Sequence, residues 1–137
     1  MGSIKLVLRQ NSATSMILQH EKFPIKVDRP LEKGGGGEGL MGGEYMLAGV
    51  GGCFCSTLFA TALARDIEIE GMRVDIVGTL STESPKHIES VQLNVFHEKC
   101  SDPENFEKLL RIAEKGCISI NTIKKGISLS VLKVGKD

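Results

Sequence analysis

The feature that most restricts the fold of this chain is a run of twenty residues, 45–64, without a single charged side chain. An uncharged run of this length can cross a bilayer. This one also contains several Gly, Ser and Thr residues, and amphipathic segments surround it on both sides. A helix that is apolar on every face is equally suited to the centre of a soluble domain or of a dimer. We therefore predict a long, buried central helix from about Glu44 to Arg65, and no membrane association.

The composition is that of an ordinary soluble domain. The chain has 137 residues, which is enough for one hydrophobic core. Its 17 basic and 17 acidic side chains cancel, and only 4% of its residues are aromatic, so nothing favours nucleic acid as a partner. Residues 1–6 lack the basic region and apolar run of a secretion signal, which predicts a cytoplasmic location. The four cysteines should then be mostly reduced, and any disulfide should be transient.

The segments before the central helix have the pattern of short strands. Residues 4–9, 15–20 and 25–28 are rich in β-branched or alternating apolar side chains, and turn residues separate them. We predict a three-stranded meander. Residues 34–43 follow and include seven glycines in ten positions. Because glycine loses the most backbone entropy on ordering, we predict a hinge or lid there rather than regular structure.

The pattern after the central helix predicts a hairpin, a second helix and a final strand. Apolar residues alternate with polar ones around residues 74–80 and 91–95, as expected for two paired strands. Asp102 and Pro103 then precede an amphipathic stripe that ends near Gly116. Residues 127–134 alternate again. The predicted fold class is α+β, with the order βββ-α-ββ-α-β in one domain over residues 1–137.

Two cysteines stand in distinctive surroundings. Cys53 ends the sequence Leu-Ala-Gly-Val-Gly-Gly-Cys inside the uncharged run, and Cys117 ends Ala-Glu-Lys-Gly-Cys just after the second helix. Two thiols at element boundaries, in a small chain with no secretion signal, suggest redox chemistry before they suggest a structural disulfide. The two residues are far apart in sequence, so the fold must bring them together. The plainer interpretation of Cys53 is a small buried apolar residue.

Cys55 competes with Cys53 for the reactive role. Residues two apart on a helix point about 200° away from each other, so both cannot face one site.

The order of elements, the glycine-rich approach and the two cysteine surroundings resemble the OsmC/Ohr superfamily, in its broader OsmC-like branch. That group includes the osmotically induced protein and the organic hydroperoxide resistance protein. The resemblance implies an OsmC-like fold, an intertwined homodimer, and a thiol-dependent peroxidase that reduces organic hydroperoxides to alcohols. It assigns Cys53 as the peroxidatic thiol and Cys117 as the resolving thiol. It also implies no metal or organic cofactor, only an external dithiol reductant such as a lipoylated protein.

The resemblance is incomplete in the groups that activate the thiol. The related peroxidases carry a Glu ten residues before the reactive cysteine, where this chain has Gly43. Glu44 is a candidate catalytic residue nine positions before Cys53, although an ideal helix would place it on the opposite face. Its alternative role is to stabilise the helix terminus. The arginine of the related peroxidases has no counterpart in residues 11–14, and Arg9 and Arg29 are the nearest candidates.

Two other functions remain open. His97 and Cys100 together with Cys53 and Cys55 could form a zinc-binding set, but the chain lacks the paired ligand spacings of structural zinc sites, which argues against a metal. The alternative of a different class is a non-enzymatic OsmC-like protein. It would hold a small apolar or thiol-bearing ligand at the dimer interface.

Overall fold

The computed structural model describes residues 2–135 and contains short strands, three α-helices and two 3-10 turns. The elements, in chain order, are β1 (Leu8–Gln10), β2 (Met16–Leu18), β3 (Ile25–Val27), a 3-10 turn (Leu31–Lys33), α1 (Gly42–Leu63), β4 (Ile69–Glu70), β5 (Arg73–Leu80), β6 (Ile88–Phe96), β7 (Lys99–Cys100), a 3-10 turn (Pro103–Asn105), α2 (Phe106–Gly116) and α3 (Ile118–Lys125). The α+β class is confirmed.

The chain forms two compact units, of which the first ends at Ala48 and the second begins at Gly49, inside α1. The first unit contains the meander and the glycine-rich loop. The second contains most of α1, the strands β4–β7 and the helices α2 and α3. That residues 1–137 make one domain stays a prediction.

The first unit is built on the expected meander. Strands β1, β2 and β3 pair antiparallel in that order, with Leu8 opposite Leu18 and Met16 opposite Val27. The turn between β1 and β2 is closed by hydrogen bonds among short polar side chains, including one of 2.6 Å between the hydroxyls of Ser12 and Ser15. The meander prediction is confirmed, with each strand shorter than its apolar segment.

The glycine-rich loop is organised around the buried carboxylate of Asp28. That carboxylate accepts hydrogen bonds from the backbone N–H groups of Arg29, Gly36 and Glu38 at 2.7, 3.2 and 3.2 Å. Burial acts to raise the pKa of Asp28, but these hydrogen bonds outweigh it and hold the pKa below its usual value. Gly35 lies against the Arg29 carbonyl, where any Cβ would overlap the backbone. Whether the loop moves as a hinge stays a prediction.

Helix α1 is buried along one face. Val50, Phe54, Leu58 and Ala62 recur every four residues, which places them on one side of the helix, and all four are buried. The opposite side remains exposed in the single chain, as Leu63 shows with 79% of its surface accessible. Within the described residues α1 alone has the length and apolar composition to cross a bilayer, a test that core helices of soluble proteins also pass.

Strands β5 and β6 form the expected antiparallel hairpin, with Val74 opposite Val95 and Ile76 opposite Leu93. The inward side chains of β5 pack toward α1, and Gly51 permits the approach. A Cβ at that position would lie 2.7 Å from Cδ1 of Ile76, closer than real contacts allow. Strands β4 and β7 make a second, shorter antiparallel pair that places Cys100 opposite Ile69.

The core of the second unit forms where two stripes with four-residue spacing meet. Phe54, Leu58 and Ala62 from α1 pack with Leu109 and Ala113 from α2 and with Cys117, which directly follows α2. Side chains four apart lie above one another on a helix, so each stripe is a continuous ridge. Leu58 and Ala113 are fully buried, and Cys117 is the last member of its ridge.

The predicted end of the second helix at Gly116 is confirmed, but a third helix, α3, which the predicted order lacks, begins directly after Cys117. The predicted final strand is wrong. Residues 127–134 form no strand, and their apolar side chains, such as Leu129 and Val131, are exposed. A strand requires a neighbour to satisfy its backbone groups, and within residues 2–135 no other strand pairs with this segment.

Candidate active site

The fold brings Cys53 and Cys117 together. Their sulfur atoms are 3.5 Å apart, and the geometry has the Cys117 thiol donating to the Cys53 sulfur. All four cysteines are free thiols. Cys117 is fully buried, whereas Cys53 is partly accessible. To form a disulfide, which has an S–S length near 2.05 Å, the two sulfurs would have to approach by only about 1.5 Å.

Each cysteine has a defined place in the secondary structure. Cys53 lies in the middle of α1, one residue before the buried Phe54. Cys117 is a single extended residue between α2 and α3, with φ −80° and ψ 116°, and it is the residue that precedes the first turn of α3. The end of α2 lies on α1, because a Cβ on Gly116 would contact the Thr57 side chain at 3.5 Å. The packing of α2 on α1 therefore brings the Cys117 thiol into contact with the Cys53 thiol.

The two thiols have opposite electrostatic environments. Hydrogen bonds from the Ser119 side chain and backbone lower the pKa of Cys53 against the opposing effect of burial, and donors from Cys117 and the Ile118 backbone add to them. Burial raises the pKa of Cys117, and the neighbouring Cys53 sulfur raises it further. The thiolate therefore forms first on the accessible Cys53, while Cys117 keeps its proton.

This arrangement can perform two-electron thiol chemistry. An accessible thiolate attacks an electrophile such as a peroxide oxygen, and a buried protonated thiol at contact distance can then trap the product. The sequence patterns considered above do not predict the groups that lower the pKa of Cys53. Helix α3 does have a sequence signal, because Gly126 preceded by Lys124 and Lys125 is typical of a helix C-terminus.

The other two cysteines differ from the pair. Cys55 packs partly against the core, and burial raises its pKa, which disfavours the thiolate. Cys100 lies in the short strand β7.

Glu44 lies in the first turn of α1, where its carboxylate accepts a hydrogen bond of 3.0 Å from the backbone N–H of Met41. That contact suits a helix-terminus role. Helix α1 begins at Gly42, so its first turn includes Glu44, and a catalytic role of this residue stays a prediction. Of the candidate cations, Arg9 donates to the Gln19 side chain at 2.8 Å.

The described residues offer no cluster of three or more His, Cys, Asp or Glu side chains that could hold a metal ion. His97, the nitrogen ligand of the zinc hypothesis, packs on Phe106 with ring centroids 4.2 Å apart. Its Nδ1 is buried without a hydrogen-bond partner.

A cavity of about 390 Å³ lies in the second unit, between β6 and the helices. Its walls are mostly apolar and include Val50, Phe54, Leu93, Val95, Ile120 and Ile123. One lining residue, Phe54, directly follows Cys53 in the sequence. The rim carries Arg111 and Lys124, which form ion pairs with Glu114 at 2.7 and 2.8 Å.

The fold and the paired cysteines define an OsmC-like protein. Residues 35–131 match the family model described as OsmC-like protein, and the chain belongs to that family. No curated protein matches it.

Several solved structures share its fold. An OsmC-like protein from Mycoplasma pneumoniae has a TM-score of 0.72 and 21% identity, with 90% of this chain and 88% of that one covered. An organic hydroperoxide resistance protein OsmC from Legionella pneumophila has a TM-score of 0.68 and 19% identity, with coverages of 90% and 92%. The organic hydroperoxide resistance protein OhrB of Bacillus subtilis has a TM-score of 0.64 and 21% identity, with coverages of 88% and 90%. At these identities the similarity establishes the fold.

Proposed function

We propose that this protein is a thiol-dependent peroxidase that reduces organic hydroperoxides to alcohols. The observation that supports this most is the contact of 3.5 Å between the Cys53 and Cys117 sulfurs, with the lower pKa on the accessible thiol. The names of the Legionella and Bacillus proteins, organic hydroperoxide resistance proteins of similar fold, are consistent with this activity.

The proposed reaction balances over two steps. The Cys53 thiolate attacks the terminal oxygen of ROOH, the O–O bond breaks, and the products are Cys53 sulfenic acid and RO⁻, which takes a proton to become the alcohol. The Cys117 sulfur, after losing its proton, then attacks the Cys53 sulfur and displaces hydroxide, which leaves as water. The peroxide gains two electrons, and the thiol pair loses two.

An external dithiol completes the cycle in this proposal. Reduction of the Cys53–Cys117 disulfide needs two electrons and two protons, which a dithiol, including a lipoyl-type one, supplies by thiol–disulfide exchange. The proposal requires no resident metal or organic cofactor. It also fits the cytoplasm, where the resting thiols are kept reduced.

The cavity in the second unit favours a substrate with an apolar organic group. Its volume of about 390 Å³ falls in the range of small-molecule sites, and its walls are aliphatic and aromatic. The same cavity also supports a second candidate function, a non-enzymatic module that binds a small apolar or thiol-bearing ligand and leaves the cysteines unchanged.

Counting thiols after one turnover separates the two functions. The fully reduced protein is mixed with one equivalent of cumene hydroperoxide, and free thiols are measured against time. We expect a rapid loss of two thiols per chain and a peptide that joins Cys53 to Cys117 in the mass spectrum. In the Cys117→Ser variant the second step cannot occur, so the Cys53 sulfenic acid should accumulate and react with dimedone.

Thiols that remain inert to the peroxide would contradict the peroxidase and favour the binding module. In that case tight binding of an apolar ligand, seen by calorimetry, is the expected finding.

We also propose that the protein is a homodimer, in which the exposed face of α1 contacts a second copy. That face carries small residues at helical spacing, Gly49, Gly52, Ser56 and Ala60, all of them exposed. A Cβ on Gly49 or Gly52 would meet no atom within 4 Å, so the space above the helix is open for another backbone. The side chains of Ile127, Leu129, Val131 and Val134 are also exposed, and they offer apolar surface to a second copy.

The dimer is tested by enlarging one small residue on this face. Gly52→Leu should fold as a single chain, because the position is open, but should shift the protein from dimer to monomer in light scattering after gel filtration. Gly52→Ala is the control, since a methyl group should leave the helix contact in place. A monomeric parent protein, or a Gly52→Leu variant that stays fully dimeric, would contradict the proposed contact.

A further inference from the structure

Cys117 lies between two helices that are joined to each other by two side-chain contacts. The Lys124 ammonium of α3 forms an ion pair with the Glu114 carboxylate of α2, at 2.8 Å. The Asn121 side-chain amide of α3 donates to the backbone carbonyl of Lys115, at 2.9 Å, near the end of α2. Both contacts run from α3 to α2, so they span the single residue between the helices. We call these two contacts the α2–α3 bridge.

The backbone of Cys117 depends on the direction of α3, because this residue is outside both helices. Its φ of −80° and ψ of 116° are extended, whereas α2 ends just before it and α3 begins just after it. Its N–H donates to the Glu114 carbonyl in a long hydrogen bond of 3.4 Å, and its carbonyl accepts the first bond of α3, from the Asn121 N–H at 3.0 Å. The direction in which α3 leaves α2 therefore sets the ψ angle of Cys117.

Helix α3 has little apolar packing to hold that direction. None of the residues Ile118–Lys125 that form it is buried, and Ile120 is the one member that packs against the core cluster. An eight-residue helix is also too short to be stable by itself. The polar contacts of the α2–α3 bridge therefore matter more for this helix than they would for a helix with a buried face.

We propose that Lys124 and Asn121 are positioning residues for the resolving step, because the bridge they form holds the Cys117 sulfur against Cys53. This inference rests on the proposed peroxidase, in which Cys117 is the resolving thiol. The two sulfurs are 3.5 Å apart, at the edge of the range from which reacting atoms attack directly. A displacement of about 1 Å from such a geometry is enough to slow a reaction. Without the bridge, α3 and the carbonyl side of Cys117 move more freely, and the sulfurs meet less often.

The test closes the disulfide without any peroxide. In a background with Cys55→Ser and Cys100→Ser, the reduced protein is mixed with one equivalent of methyl methanethiosulfonate. The Cys53 thiolate attacks the thiomethyl sulfur, methanesulfinate leaves, and a mixed disulfide forms. Cys117, after losing its proton, attacks the Cys53 sulfur and displaces methanethiol, so the thiol pair loses two electrons and the reagent gains two. Acid quenching and intact-mass spectrometry against time give the rate of each step.

The second step should be the one that responds to the bridge. The Lys124 side chain is 62% exposed, and such contacts contribute modestly. We therefore expect Asn121→Ala and Lys124→Met each to slow disulfide closure by about two- to threefold, and the double variant by about fivefold or more. The first step, in which Cys53 takes up the reagent, should keep the parent rate. Lys124→Arg, which keeps the cation, should restore closure.

Lys125→Met is the matched control on the same helix. Lys125 is the next residue after Lys124, and among residues 2–135 it forms no ion pair, so the same loss of charge should leave both steps unchanged. Circular dichroism checks the folding of each variant. If the double variant does not fold, the two single variants and Lys124→Arg carry the comparison.

Equal closure rates with and without the bridge would overturn the inference. So would a parent protein whose mixed disulfide persists, or variants in which both steps slow to the same extent, since a general loss of structure would then account for the effect. A slower second step alone would support the bridge even if the protein proved inert to hydroperoxides, which would contradict only the proposed function.

Discussion

Replacing Cys53 with serine is expected to abolish peroxide reduction. A serine hydroxyl remains protonated at neutral pH and cannot take the place of the thiolate that the Ser119 and Ile118 donors stabilise. Loss of a covalent nucleophile lowers turnover by about a thousandfold or more. The measurement is consumption of cumene hydroperoxide with excess dithiothreitol, and mass spectrometry should detect no Cys117-containing disulfide.

Cys55→Ser is the control for this experiment. Cys55 lies two residues away on the same helix, and burial raises the pKa of its thiol, so its removal should leave turnover within about twofold of the parent protein. Equal loss of activity in both variants would contradict the assignment of Cys53 as the nucleophile. It would mean that the packing of this part of α1, and not one sulfur, supports the reaction.

Truncation of Leu58 is expected to cause the largest loss of stability. Leu58 is fully buried in the centre of the α1 stripe, among Phe54, Ala62, Leu109 and Ala113. Leu58→Ala removes buried apolar surface and leaves a cavity, which costs about 2–5 kcal/mol of unfolding free energy. The measurement is urea denaturation followed by circular dichroism. Because the same packing places Cys117 on Cys53, the reaction with peroxide should also slow.

Leu58→Met separates the cavity from the change of side chain. Methionine has nearly the same volume and is flexible, so this variant should lose less than about 1.5 kcal/mol. If Leu58→Ala unfolds at the same urea concentration as the parent protein, the two ridges do not form the core described above.

The helix pair explains how two distant thiols become one site. Cys117 ends the α2 stripe, so the contacts that stabilise the second unit also fix the position of its sulfur. The stability of the second unit and the contact between the two thiols therefore depend on the same packing. The thiol contact needs no charged side chain in the core, where an unpaired charge would be costly.

Local sequence patterns predicted most of the fold. The uncharged run predicted α1 within two residues at each end, and alternation predicted both the meander and the β5–β6 hairpin. These patterns succeed because they arise from the burial of one face within the same segment. The alternation of residues 127–134 also predicts a strand, and this prediction is wrong. A strand depends on a neighbour, which a local pattern does not contain.

Helix α3 shows the opposite error. The glycine stop correctly predicts the end of α2 at Gly116, but the predicted order lacks the helix that begins after one extended residue. Cys117, with ψ near 116°, is the extended residue that separates α3 from α2. Neither composition nor hydrophobic periodicity predicts the conformation of a single residue.

The sequence was sufficient to select Cys53 and Cys117 as the pair of interest, since their surroundings and the predicted cytoplasmic location indicate redox chemistry. It did not contain their contact of 3.5 Å or the opposite shifts in their pKa values. Both depend on which side chains and backbone groups surround each sulfur, and those come from segments distant in the chain. Residue type sets what a thiol can do, whereas burial and hydrogen bonding set which thiol ionises.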